Sequence, residues 1–204
     1  MSPWYVKLFL PLLKNETPPE ELKTADIQCI FAASYAAKDC HSLVEATKQV
    51  LSRAIRIKSE LFPKAHLIFA SCSHAFPGSG EAELRLKSEL CRSASVDYLE
   101  AGSIINSVTE LEACRDLLKQ RSVLPERILV VTCELHSRRE YLLAQKIFPD
   151  SKVFVTCVSH TFELEPWHPM PSMRTWPRLL LSQVCGYAAF QAMSWGIYFL
   201  GQTS

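Results

Sequence analysis

The sequence predicts an α/β fold, a mainly parallel central sheet of about five strands with helices on both faces. Three observations carry that expectation. Short apolar runs recur without polar alternation, as in Ile128-Leu129-Val130-Val131, which is the pattern of strands covered on both faces. Segments with apolar residues at helical spacing lie between them, and the connections are short enough to require right-handed crossovers. Hydrophobic residues make up 48% of the chain against 21% charged, an excess that suits a sheet buried on both faces.

In chain order, residues 1–25 read as an N-terminal lead-in that carries Pro18-Pro19 and wraps the surface. Residues 26–33 are the first strand. Ser42 and Glu45 stand in capping-box spacing before a helix whose inner face is Leu43, Val50, Ala54, Ile57 and Leu61 and which Pro63 ends. Residues 65–70 form the second strand and run into a small, polar, glycine-bearing loop, after which a helix begins near Glu81. Residues 96–100 give a short third strand. Ser107 and Glu110 then repeat the capping-box spacing before a helix with Leu111, Cys114, Leu117 and Leu118 inside. The fourth strand starts at Arg127 and is central, and residues 152–158 are the fifth.

These elements make one α/β domain over residues 26–158. Residues 159–204 form a third part, a Pro/Trp-rich arm with Trp167 and Trp176 among Pro166, Pro169, Pro171 and Pro177, then a C-terminal apolar helix packed on the domain. The run 179–200 reaches membrane-spanning length, but Ser182, Gln183, Gln191, Ser194 and two glycines are unfavourable in hydrocarbon. A core helix is the first reading and a membrane anchor the alternative. Residues 1–13 lack the long apolar core and cleavage site of a secretory signal, so none is expected.

The chain has 204 residues, enough for one good core. With 22 Lys+Arg against 21 Asp+Glu, its formal net charge of +1 supplies no global attraction to nucleic acid or an anionic membrane, so any basic site must be local. The eight cysteines are scattered through apolar runs without a Cys-x-x-Cys pair, which points to small buried hydrophobes in a reducing, cytoplasmic compartment. Cys133-x-x-His136 has zinc-like spacing but no second half-site, so no metal is predicted.

In a parallel sheet the loops after the strands open at one edge, where such folds bind ligands. Those loops bring His74, Glu81, Asn106, Ser107, Thr132, His136, Arg138 and Arg139 toward one place. The mixture suits an anionic or zwitterionic ligand, with Arg139 clamping a carboxylate or phosphate. His136, directly after the central strand, is the candidate for proton transfer. Several of these residues also have structural readings: Ser107 with Glu110 as a cap, Asn106 as the turn before it, and Arg138 paired with Glu134 or Glu140 in solvent. No Gly-x-Ser-x-Gly elbow, Walker loop or Gly-x-Gly-x-x-Gly fingerprint is present, which argues against a standard serine hydrolase, nucleoside-triphosphatase or dinucleotide enzyme.

Over residues 26–158 the chain resembles the YdcF/SanA-like family, a domain-of-unknown-function family. Gly80-Glu81-Ala82 matches the start of that family's Ser-Glu-Ala helix. Asn106-Ser107 stands where Asn-Thr is usual, and Val131-Thr132, His136 and Arg139 match its Val-Thr-x-x-x-His-x-x-Arg ending. Departures are Ala33-Ser34 in place of a glycine pair, Ser71-Cys72-Ser73 in place of Ser-Gly-Gly, and Thr109-Glu110 in place of Glu-Asn. The resemblance implies a Rossmann-like fold and a ligand site at Glu81, Asn106, Ser107, Thr132, His136 and Arg139, with His136 catalytic if there is chemistry. It also implies a nucleotide-type ligand, S-adenosylmethionine before others, and a transferase if the protein is an enzyme. Two other classes stay open: a membrane-associated, non-catalytic envelope or scaffold protein anchored through 179–200, and a hydrolase or phosphoryl-handling enzyme using His136.

Overall fold

The structure is a computed structural model and describes residues 4–73, 75–159, 164, 167–168, 173–186 and 188. The elements are α1 (Trp4–Leu13), α2 (Pro19–Thr24), β1 (Cys29–Ala32), α3 (Glu45–Glu60), β2 (His66–Cys72), α4 (Ser79–Ser93), β3 (Tyr98–Ile104), α5 (Ser107–Gln120), β4 (Arg127–Cys133), α6 (Ser137–Ile147) and β5 (Lys152–Val158). A single 3-10 turn, Glu134–His136, joins β4 to α6. Residues 176–186 are also helical.

The five strands form one sheet in the order β3-β2-β1-β4-β5, and every pairing is parallel. The fold is therefore Rossmann-like α/β. The unbroken apolar runs have a direct cause. Ile30, Leu67, Phe69, Leu129 and Val131 point into one core with α3, while Phe31, Ile68, Ile128 and Val130 point into the other with α5 and α6. Complete burial of each Leu, Ile or Phe contributes roughly 1.5–3 kcal/mol, so both cores are needed to hold the sheet.

Three local expectations change. The lead-in does more than wrap the surface: it forms α1 and α2, which bury Val6, Leu13 and Leu22 against the first core. The loop after α1 then joins β5 through Thr17 N–H donating to the Val155 carbonyl at 2.8 Å. Ser42 does not cap α3, which starts at Glu45 after Val44, because Ser42 donates its hydroxyl to Asp39 at 3.0 Å. The third strand runs over Tyr98–Ile104, beyond the expected 96–100, since its half-buried position at the sheet edge tolerates Glu100, Gly102 and Ser103.

Met173, Leu179 and Leu180 bury their side chains in the first core, so this part of the 159–204 region packs on the domain. Much of the Pro/Trp-rich arm, and the 179–200 run beyond 188, lies outside the described residues. Among the described residues no helix is long and apolar enough to cross a membrane.

Candidate functional site

In the order β3-β2-β1-β4-β5 the chain reverses direction of winding between β1 and β4, and the crevice outside their carboxyl ends is where open α/β sheets take ligands. β4 delivers Thr132, the 3-10 turn delivers His136, and the first turn of α6 delivers Arg139 and Glu140. β1 leads into Ser34 and Tyr35.

His136 and Arg139 meet here. The Arg139 guanidinium lies 3.1 Å from His136 Nδ1, donates to the Ser107 hydroxyl at 3.2 Å and pairs with the Glu140 carboxylate at 3.2 Å. His136 is buried, with its other ring nitrogen 3.4 Å from the Gln183 amide and its ring edge against Tyr35, centroids 5.1 Å apart. Thr132 does not reach the crevice. It is fully buried with its hydroxyl 2.7 Å from the Tyr35 hydroxyl, which in turn accepts from the Cys133 N–H. Thr132 thus holds the tyrosine that backs His136.

Asn106 is the N-cap of α5: its side-chain oxygen accepts from Val108 N–H at 2.9 Å and Thr109 N–H at 3.0 Å. The capping box is therefore Asn106 with Thr109. Ser107, expected as a cap with Glu110, is instead the first helical residue and is left to receive Arg139. Arg138 donates to the Leu12 carbonyl at 3.1 Å. Glu81 is exposed on the first turn of α4 and is not drawn into this group. His74 lies outside the described residues.

The inward carboxylate of α4 is Glu83, two residues beyond Glu81. It pairs with Lys87 at 2.8 Å, with both side chains essentially inaccessible to solvent, and accepts from the Cys72 N–H and the Ser34 hydroxyl. Lys87 also donates to the Ala70 carbonyl at 2.6 Å. Next to this pair Glu110 accepts from Ser34 N–H at 2.9 Å. Burial, opposed by Lys87 and reinforced by Glu140 and Glu83, pushes the Glu110 carboxyl from its usual 4.5 up to about 8. Two cations thus face three buried carboxyls, and a protonated Glu110 closes the balance near neutral pH.

The sequence held a signal for these missed residues. Glu83 and Lys87 fall in phase with buried Gly80 and Cys91, Glu110 with Cys114 and Leu118, and Glu140 with Leu143, Ala144 and Ile147. Charges on a core-facing helical stripe mark a polar network in the interior. Gln183 carried no such mark. A Cβ at Gly80 would meet the Ser103 hydroxyl, which would have to shift to admit one.

No protein-family model, curated protein or solved structure matches the chain. Its chemistry must be read from its own side chains.

Among the described residues the buried Arg139 Nε at this edge has no hydrogen-bond partner. Because Arg139 can only donate, His136 Nδ1 accepts, and its Nε2–H faces the Gln183 side-chain amide, whose oxygen can accept from it. An unpaired guanidinium N–H is satisfied by a carboxylate or a phosphate. Space is tight. The cavity between β1 and β4, lined by Ala33, Glu110 and Glu140 among others, is about 10 Å³, the scale of one water. A wider groove of about 570 Å³ lies at the opposite, amino edge of the sheet beside Leu118, Leu124 and Phe148. Lys119 and Lys146 sit in the last turns of α5 and α6, where they offset the helix dipoles, and Arg115 pairs with Asp116 at 3.0 Å. Chemistry rather than volume favours the carboxyl edge. Among the described residues no group of three or more His, Cys, Asp and Glu is arranged to hold a metal.

Proposed function

We propose that this chain is a YdcF-like small-molecule-binding protein whose ligand is of nucleotide type, S-adenosylmethionine before others, held at the carboxyl edge between β1 and β4. The observation that carries the reading is the His136–Arg139–Ser107 group at the switch point of a parallel sheet, with the buried Arg139 Nε lacking a partner among the described residues. The α-carboxylate of an amino-acid moiety accepts from Arg139. A transferase is the enzyme class that follows, with His136 as the group that moves a proton. Ser107 and Asn106 set the start of α5 at the same edge, and Thr132 keeps Tyr35 behind the imidazole.

A nucleotide-sized ligand needs a pocket of several hundred Å³. Binding therefore displaces Gln183 from His136 and moves residues 176–186 outward. The cytoplasm, where S-adenosylmethionine is plentiful, is the compartment that goes with this reading.

A thermal-shift screen of the purified chain against S-adenosylmethionine, S-adenosylhomocysteine, ATP, NAD and inorganic phosphate tests it, run beside His136→Ala and Arg139→Gln. Ligand at about a hundred times its dissociation constant adds roughly 2.7 kcal/mol, a rise of several degrees in melting temperature. An adenosyl ligand should raise the wild type and leave both variants unmoved. No shift with any compound removes the nucleotide reading.

A further inference from the structure

Two helices near the carboxyl edge turn apolar side chains to solvent. On α1, Leu8 and Leu12 are 64% and 61% exposed and stand one turn apart, with Phe9 beside them at 39%. On the helical residues 176–186, Leu181 is 64% and Val184 46% exposed, again at helical spacing. Both helices converge on one turn. α1 packs on Glu134–His136 and on α6, where Arg138 donates to the Leu12 carbonyl, while Gln183 lies against His136 and Gly186 approaches the Arg139 side chain.

The charge on these helices has one sign. α1 carries Lys7, exposed, and no acid, while Lys14 just after it is paired with Glu16 and Glu134; residues 174–186 carry Arg174 and Arg178 and no acid. From residue 179 to the end the sequence has no charged residue, and the run 187–200 is dominated by apolar and aromatic types. A face meant for an ordinary protein partner has no need to exclude acids. Exposed apolar side chains beside the exposed cations Lys7 and Arg178, on helices that carry no acid of their own, are the composition of helices that lie in the headgroup layer of an anionic bilayer. α1 has ten residues with Pro11 inside it, too few to span, so it lies in the plane of the surface.

We propose that α1 and the helical residues 176–186 form a docking face for anionic lipid surfaces, with Leu8, Leu12 and Leu181 in the acyl boundary and Lys7 and Arg178 at the headgroups. This goes beyond the small-molecule reading and does not depend on it.

The test is co-sedimentation of the full chain with vesicles of phosphatidylcholine alone and of phosphatidylcholine mixed with phosphatidylglycerol, at low and high salt. The wild type should pellet with the mixed vesicles and be released by salt. Leu8→Glu/Leu12→Glu and, separately, Leu181→Glu should each lower the partition coefficient tenfold or more. All these positions are exposed, so circular-dichroism melting should be unchanged. A wild type that stays in the supernatant with both vesicles overturns the proposal, as do variants that pellet like the wild type. A dimer in solution that Leu8→Glu/Leu12→Glu dissociates also overturns it, assigning the face to a second copy.

Discussion

Glu110 holds a proton that the unfolded chain would give up. Its folded pKa, about 8, lies above the ordinary 4.5. Between those values the folded state binds the extra proton, so stability falls as pH rises through the window and is least penalised below it, by up to about 1.4 kcal/mol per pH unit. Glu110→Gln keeps an oxygen to accept from Ser34 and mimics the protonated acid. Urea denaturation at about pH 5 and about pH 8 should show the variant gaining on the wild type at the higher pH and matching it at the lower. Equal pH dependence in the two proteins would mean that Glu110 is ionised throughout. Lys87 is the second residue on which the interior charge depends. Lys87→Met strands the Glu83 carboxylate in the core and should cost about 3–5 kcal/mol by the same denaturation, with Glu83→Gln added to it recovering a part. Both residues sit on core-facing stripes, so the helical period exposes them to sequence reading. The attraction of Glu81, two positions from Glu83, came from a motif match, and motif position alone does not say which side of a helix faces inward.

At the scale of elements, helix starts were legible in type and displaced by a residue or so. Ser107-x-x-Glu110 and Asn106-x-x-Thr109 overlap by one position, and both have capping-box chemistry. The structure uses the second, because that register frees the Ser107 hydroxyl for Arg139 and turns Glu110 into the core. Asn106→Ala should therefore lower stability by about 1 kcal/mol, whereas Ser107→Ala should leave the melting temperature nearly unchanged and weaken adenosyl-ligand binding. A larger stability loss in Ser107→Ala than in Asn106→Ala would reverse these roles. The run 179–200 reads as a core helix, or an anchor, from its apolarity and the few polar residues within it, and the helical residues 176–186 overlap its start. Leu179, Leu180 and Gln183 turn inward while Leu181 and Val184 face solvent, a division visible in the spacing only once it is known what the helix packs on. If ligand entry requires this helix to move, Gln183→Ala should speed association in stopped-flow binding; an unchanged association rate would show that the entry path lies elsewhere.

Across the whole molecule, the alternation of doubly buried strands with amphipathic helices was enough to read a parallel α/β sheet. The order β3-β2-β1-β4-β5 follows from right-handed crossovers once the chain switches sides after β3. The closeness of 176–186 to the carboxyl edge was not legible, because a contact made by Gln183 across 47 positions leaves no periodic trace. The sheet thus sets one edge with His136 and Arg139 and a second, roomier edge by Leu124 and Phe148. Which of them takes ligand is the central question. The most direct measurement is an amide chemical-shift titration of isotope-labelled protein with S-adenosylmethionine. Binding at the carboxyl edge should move the signals of Ser34, Ser107, His136, Arg139 and Gln183 together and leave those of Leu124 and Phe148 in place. Shifts confined to Leu124 and Phe148, or none at saturating ligand, would contradict it.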